Sequence, residues 1–240
     1  MGVEKILFAF VLLATALAVP AAAYTDLSLE VTAHVNDDGT AHVTEKTTIF
    51  MDTQNEQEAF DYTAIAGASI SDWTKFSKNV KYHVNGAVVS PKIAGRRIGT
   101  NTGMIILEYD LASPIFSINQ TGSRMKTFAL NDGVLGFESS KAGETILPKG
   151  SSFSFEIPLD AQVVSAYPAP SSTEKNVVSW AGTHGYVVGA WKLVFQREKS
   201  LSSEVNSFFL QLYEQLISLV PPLILLAIAA LVAYKFTRKK

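Results

Sequence analysis

Leu27, Leu29, Val31, Ala33 and Val35 alternate with Ser28, Glu30, Thr32 and His34, and Ala41, Val43, Ile49 and Met51 extend the apolar face. A period of two sends successive side chains to opposite faces, which predicts strands. Between the two runs, "HVNDDGTAHVTE" comes close to a calcium loop. Asn36, Asp38, Gly39 and Glu45 fall at its third, fifth, sixth and twelfth positions, with His34 where an Asp is required. An EF-hand needs helices on both sides of that loop, whereas the flanks here have strand periodicity. The stretch therefore predicts a β-hairpin with a three-residue loop, Asp37-Asp38-Gly39, and Gly39 in the left-handed conformation. That register sets Asn36 opposite Thr40, His34 opposite His42, and Glu30 opposite Lys46, a favourable cross-strand pair.

Two further hairpins are predicted by Asn85-Gly86 and Asp132-Gly133, each between alternating apolar residues. The first would pair Val84 with Ala87 and Tyr82 with Val89. The second would pair Leu130 with Leu135 and Phe128 with Phe137. Further strand candidates are "MIILEYDL", "SFSFEIPL", "AQVVSAY", "NVVSWAG" and "YVVGAWKLVFQ", about eleven strands in all at sandwich-like spacing, with no long helical pattern before Glu204. The expected fold class is mostly β, as one or two antiparallel β-sandwich units. With two units, they span 24–112 and 113–200 and divide near Ala112-Ser113-Pro114.

The chain's ends depart from this pattern. Lys5, the apolar run Ile6–Val19 and "PAAA" before Tyr24 read as a secretory signal over residues 1–23. Glu204 to Val220 places Phe209, Leu212, Tyr213, Leu216 and Val220 at steps of three and four, an apolar stripe on a juxtamembrane helix over 201–215. Leu216 to Tyr234 carries no charge over 19 residues, the length a spanning helix requires. Pro221 and Pro222 predict a kink near its start. Lys235, Arg238, Lys239 and Lys240 follow at once and keep the tail, 235–240, in the cytoplasm by the positive-inside rule. The expectation is a single-pass protein of the cell membrane with its N-terminal part outside.

Charge narrows the partners. Residues 24–215 hold 15 basic and 21 acidic side chains, a net −6 that argues against nucleic acid. The absence of cysteine removes thiol catalysis, thiolate zinc sites and disulfides, and suits a prokaryotic envelope.

Chemistry-bearing residues are few. His34 and His42 are candidate metal ligands on one outward face, two where tight binding needs more; the bland reading is exposed strand histidines. Glu45 falls on the apolar face, where a carboxylate needs a partner or water; Arg96 or Arg97 is the candidate partner, and the alternative is that the face opens to solvent at this point. Asn119-Gln120-Thr121 is a glycosylation sequon. Ser123-Arg124-Met125-Lys126 and Ser172-Thr173-Glu174-Lys175 fit S-x-x-K without the helix that motif requires. Trp73, Trp180 and Trp191 are read as core rather than as sugar platforms. No catalytic residue and no cofactor is predicted.

"VTAHVNDDGTAHVTEKTTIFM" resembles the opening of exported, membrane-anchored archaeal and bacterial proteins of unknown function, in which a strand, "DG(S/T)" and "V-x-E" recur. "ILPKGSSFSFEIPLDAQVVSAYP", "VVSWAG" and "WKLVFQ" are similar to the later strands of archaeal envelope ectodomains. This resemblance implies a β-sandwich ectodomain on a C-terminal anchor and brings no catalytic residue. The expected function is non-enzymatic: an extracytoplasmic binding or structural surface, with the membrane as partner. The alternatives are an accessory subunit of a membrane complex, in export, surface assembly or glycosylation, contacting its partner through Phe209, Leu212, Tyr213, Leu216, Pro221 and Pro222, and an exported hydrolase or sugar-binding module.

Overall fold

The opening alternation forms the hairpin it predicts. β1 (Thr25–Val35) pairs antiparallel with β2 (Ala41–Phe50), with Glu30 opposite Lys46 and His34 opposite His42. At the tip, the Asn36 N–H donates to Thr40 O at 2.9 Å and Gly39 takes φ +80°, the left-handed position that only glycine occupies without strain. Asp38 is spent on this turn. Its Oδ1 accepts from the Thr40 N–H at 3.0 Å and the Thr40 hydroxyl at 2.6 Å, bonds that hold the carboxyl below its ordinary range.

The computed structural model describes residues 24–121, 124–139, 145–182, 186–188 and 191–198, then 205, 208–213, 215, 217 and 221. The predicted signal (1–23), Leu216, Pro222, most of the predicted span and the tail, 235–240, lie outside the described residues.

The chain continues as β3 (Val88–Arg97), β4 (Thr102–Leu111), β5 (Phe116–Thr121), β6 (Met125–Leu130), β7 (Glu138–Ser139), β8 (Thr145–Leu147) and β9 (Ser151–Glu156). It then runs through β10 (Gln162–Tyr167), β11 (Ser172–Glu174), β12 (Val177–Ala181), β13 (Tyr186–Val188) and β14 (Lys192–Glu198). Three sheets result, ordered β11-β12-β9-β1-β2-β4-β3, β10-β14-β6-β5 and β13-β8-β7. The fold is mostly β and sandwich-like. β1 is central in the largest sheet because it pairs on its far side with β9, in parallel, from Leu29↔Ser151 to His34↔Glu156. That sheet therefore takes strands from both sides of Ala112-Ser113-Pro114 and does not divide at the predicted boundary.

Within the unit formed by residues 24–118 and 128–195, the inward faces meet in one core. Val31, Ala33 and Val43 from the large sheet join Phe116, Phe128, Leu193 and Phe195 from the four-stranded one, all buried. Phe116 bridges the two sheets, its ring centroid 5.4 Å from Phe155 and 5.2 Å from Phe195. Edge-to-face contacts of this kind add to the burial of the rings themselves. The second unit, 119–127 with 196–240, is described at the ends of β5, β6 and β14, at residue 124 and at the helical residues 205, 208–213, 215, 217 and 221.

Two expectations fail here. Neither Asn85-Gly86 nor Asp132-Gly133 closes its own hairpin; the two turn segments pair with each other instead. Val84 forms a bridge with Leu135, the Asn85 N–H donates to Val134 O at 2.6 Å, and the Gly136 N–H donates to His83 O at 2.8 Å. The local turn signal is overridden because Val84 and Phe137 bury in the same core.

A helix also precedes Glu204. α1 (Gln54–Ile65) is followed by the short α2 (Ile70–Trp73). Thr53 Oγ1 accepts from the Glu56 N–H at 3.3 Å, and Glu56 Oε2 accepts from Thr53 N at 3.1 Å and Asp52 N at 2.7 Å, a reciprocal capping box. These helices lay Phe60 and Trp73 over the β3–β4 pair, in a second cluster with Ile49, Met51, Phe76 and Ile105. Gly95 on β3 and Gly103 on β4 provide the space. A Cβ on Gly95 would fall on Trp73 Cη2, and one on Gly103 would lie 2.7 Å from Phe60 Cζ.

Candidate functional site

Glu45 is on β2 and points into the core because Val43 and Thr47, two residues to either side, do so as well. Its neighbour across β4, Leu107, shares that inward face with Tyr109. The third member, His83, arrives on the irregular segment before β3, held by its bonds to residues 134–136. Glu45 and His83 are 2% exposed and Tyr109 1%.

Three hydrogen bonds join them, and a fourth ties Tyr109 to the backbone at Val84. Glu45 Oε1 accepts from the His83 backbone N–H at 2.7 Å and from the Tyr109 hydroxyl at 2.5 Å. Glu45 Oε2 faces His83 Nδ1 at 2.7 Å. The Tyr109 oxygen in turn accepts from the Val84 N–H at 3.2 Å. Burial raises the Tyr109 hydroxyl far above the ordinary phenol range, and the Glu45 charge beside it acts in the same direction. Tyr82, whose ring stands edge-on to Tyr109 at 4.7 Å, is raised by burial and by the same carboxylate. Phe137 closes the other side of the imidazole at 5.1 Å.

The arrangement satisfies a buried charge and ties the 83–84 backbone to the sheet. No reacting atom is open to a substrate. It is a clamp, and its chemistry is spent internally.

The remaining predicted residues are placed differently. Neither Arg96 nor Arg97 partners Glu45. The Arg97 guanidinium donates to Gln57 Oε1 at 3.2 Å and to Thr100 O, and lies 3.6 Å from Asp61, while Arg96 reaches Met104 Sδ at 3.9 Å. Adjacent on β3, they point to opposite faces: Arg96 is exposed, and Arg97 is half-buried against α1. His34 and His42 do oppose each other, but each turns to its own flank. His34 Nδ1 is 3.4 Å from Glu156 Oε2, and His42 Nδ1 is 2.7 Å from Asp110 Oδ1. Among the described residues, no three His, Cys, Asp or Glu converge as a metal site. Asn119 is exposed on β5.

Trp73, Trp180 and Trp191 are buried at 0%, 1% and 6% exposure, so none offers a face to a sugar. Phe209, Leu212 and Tyr213 are helical and exposed, and Pro221 is itself helical. No helix among the described residues is long and apolar enough to cross a membrane.

Sequence reasoning missed His83 and Tyr109. A usable signal was present for Tyr109, a phenol at an inward position between Leu107 and Leu111. None was present for His83, whose position follows from long-range pairing.

No protein-family model matches the chain, and no curated protein does. Among solved structures, it is similar to the folded domain of the Mycobacterium tuberculosis protein LppM, solved by NMR, at 13% identity and a TM-score of 0.27, covering 73% of this chain and 92% of that one.

Proposed function

We propose that the protein is a non-enzymatic, membrane-anchored protein of the cell envelope whose β-sandwich domain presents a binding or structural surface outside the cytoplasm. The observation that carries this reading is the helical stretch leading into the uncharged run 216–234. Phe208, Phe209, Leu210 and Tyr213 are 59%, 63%, 64% and 62% exposed there. Large apolar side chains clustered on a helix require a cover, and the run that follows has the composition of a membrane span. The burial of Glu45, His83 and Tyr109 agrees with a scaffold rather than an enzyme.

The test is fractionation of the full-length chain tagged at the C-terminus. Resistance to alkaline carbonate extraction, digestion of residues 24–198 by protease added to intact cells, and protection of the tag are expected. Release by carbonate, or a protected N-terminal domain, would overturn the reading.

A second reading, an accessory subunit of a membrane complex, is favoured by the exposure of Phe209, Leu212 and Tyr213 on the same helix. Affinity purification from native membranes in mild detergent should then recover a stoichiometric partner. Replacing Phe209, Leu212 and Leu216 by alanine should remove it. A lone monomer counts against a complex.

A further inference from the structure

β5 ends the four-stranded sheet, so among the described residues one side of its backbone has no strand partner. Exposed edges template pairing with other chains, and proteins blunt them with charge, proline, bulges, shortness or a covering element. Both ends of the largest sheet carry such devices. β3 holds Pro91, Lys92, Arg96 and Arg97, and has a register shift between Val89 and Lys92 with Ser90 at φ +51°. β11 is three residues long.

Phe116–Thr121 contains no charge and no proline, and the β1–β2 turn covers only its start, where the Ile115 and Phe116 N–H groups both donate to Gly39 O. Ser117, Ile118, Asn119 and Gln120 are all exposed. The uncovered portion holds Asn119-Gln120-Thr121. Among the described residues the Asn119 carboxamide makes no hydrogen bond, so its nitrogen is available.

We propose that Asn119 carries an N-linked glycan and that this glycan guards the β5 edge. The donor is a lipid-pyrophosphate-linked oligosaccharide. Asn119 Nδ2 forms the new bond to the anomeric carbon and gives up one proton to a base of the transferase. The bond from that carbon to the pyrophosphate oxygen breaks, and the lipid pyrophosphate leaves with its electron pair. A bulky hydrated chain at the middle of the exposed edge prevents a second strand from docking there. The inference rests on the extracytoplasmic placement above, because the transfer takes place on that side of the membrane.

The experiment is mass spectrometry of the full-length protein from its native membranes, focused on the tryptic peptide 98–124, alongside the protease-accessibility assay. The expected result is added mass of at least one monosaccharide on that peptide. It should be lost in Asn119→Gln and Thr121→Ala and retained in Thr121→Ser, which keeps the acceptor hydroxyl. An unmodified peptide on a protease-accessible domain overturns the glycan and leaves the topology standing. An unmodified peptide on a protected domain overturns both. For the guarding role, Asn119→Gln should shift toward dimers and larger species in light scattering, and adding Ile118→Lys should reverse the shift. A glycan-free variant as monodisperse as the native protein removes the role.

Discussion

Replacing Tyr109 by phenylalanine isolates the polar clamp, because the ring and its packing remain and only one oxygen is lost. Two bonds disappear: the hydroxyl's donation to Glu45 Oε1 at 2.5 Å and its acceptance from the Val84 N–H at 3.2 Å. The first is assisted by charge and contributes about 1.5–3 kcal/mol. The second leaves a buried N–H without a partner, at a cost of about 1–3 kcal/mol. Glu45 keeps both bonds from His83 and the site relaxes in part, so about 2–4 kcal/mol is expected for the pair. That is a large share of the roughly 5–15 kcal/mol by which domains are stable.

Guanidinium unfolding of the purified chain in detergent at neutral pH measures the loss as a lower midpoint at unchanged slope. Tyr82→Phe is the control: it removes a hydroxyl beside the same ring that bonds nothing among the described residues, and about 0.5 kcal/mol or less is expected. Alkaline pH adds an independent reading. The folded Tyr109 pKa is raised above the unfolded value of 10.0, so its contribution is fully present below pH 10 and is lost as pH rises beyond it. There the unfolded chain has released a proton that the folded one retains, and stability falls by about 1.4 kcal/mol per pH unit from this residue. Tyr109→Phe should remove that component. A cost under about 0.5 kcal/mol at neutral pH, or an unaltered alkaline slope, refutes the clamp.

Gly95→Ala drives a methyl onto the Trp73 ring and should cost about 1–3 kcal/mol in the same assay; a neutral result would mean that α2 does not pack on β3 as described. Thr53→Ala removes half of the α1 capping box and should cost about 1 kcal/mol, with Thr53→Ser restoring most of it. Gly39→Ala meets both a positive φ and Phe116 O, 2.7 Å from the added Cβ, and should destabilise by more than about 1 kcal/mol. With all three indoles buried, tryptophan emission should be blue-shifted, poorly quenched by acrylamide and unchanged by oligosaccharides; a sugar-dependent shift would revive the sugar-binding reading.

By itself the sequence determined what short-range physics controls. Alternation placed the inward faces of β1 and β2, and Asn36 to Thr40 determined the turn and the register from Val35↔Ala41 to Ser28↔Thr48, because pairing across a tight loop leaves the chain little other choice; the register shifts only beyond Ser28. It also held the Thr53-x-x-Glu56 signature of α1. The helix itself does not stand out in the pattern, because it buries only Glu56 and Phe60 and its apolar stripe is faint. Tertiary structure decided everything that needs distant segments to meet. The parallel pairing of β1 with β9 joins residues more than a hundred positions apart, and no local pattern encodes it. Asn85-Gly86 and Asp132-Gly133 are both strong turn signals, yet burial of Val84 and Phe137 in one core outweighed them and paired the two segments with each other. The same pairing delivers His83 to Glu45. Alternation along β2 put this carboxylate on the apolar face and left a partner or open solvent as the two solutions; only the fold could bury it and select a histidine and a tyrosine, since a buried carboxyl is satisfied by whichever donors the packing brings within reach.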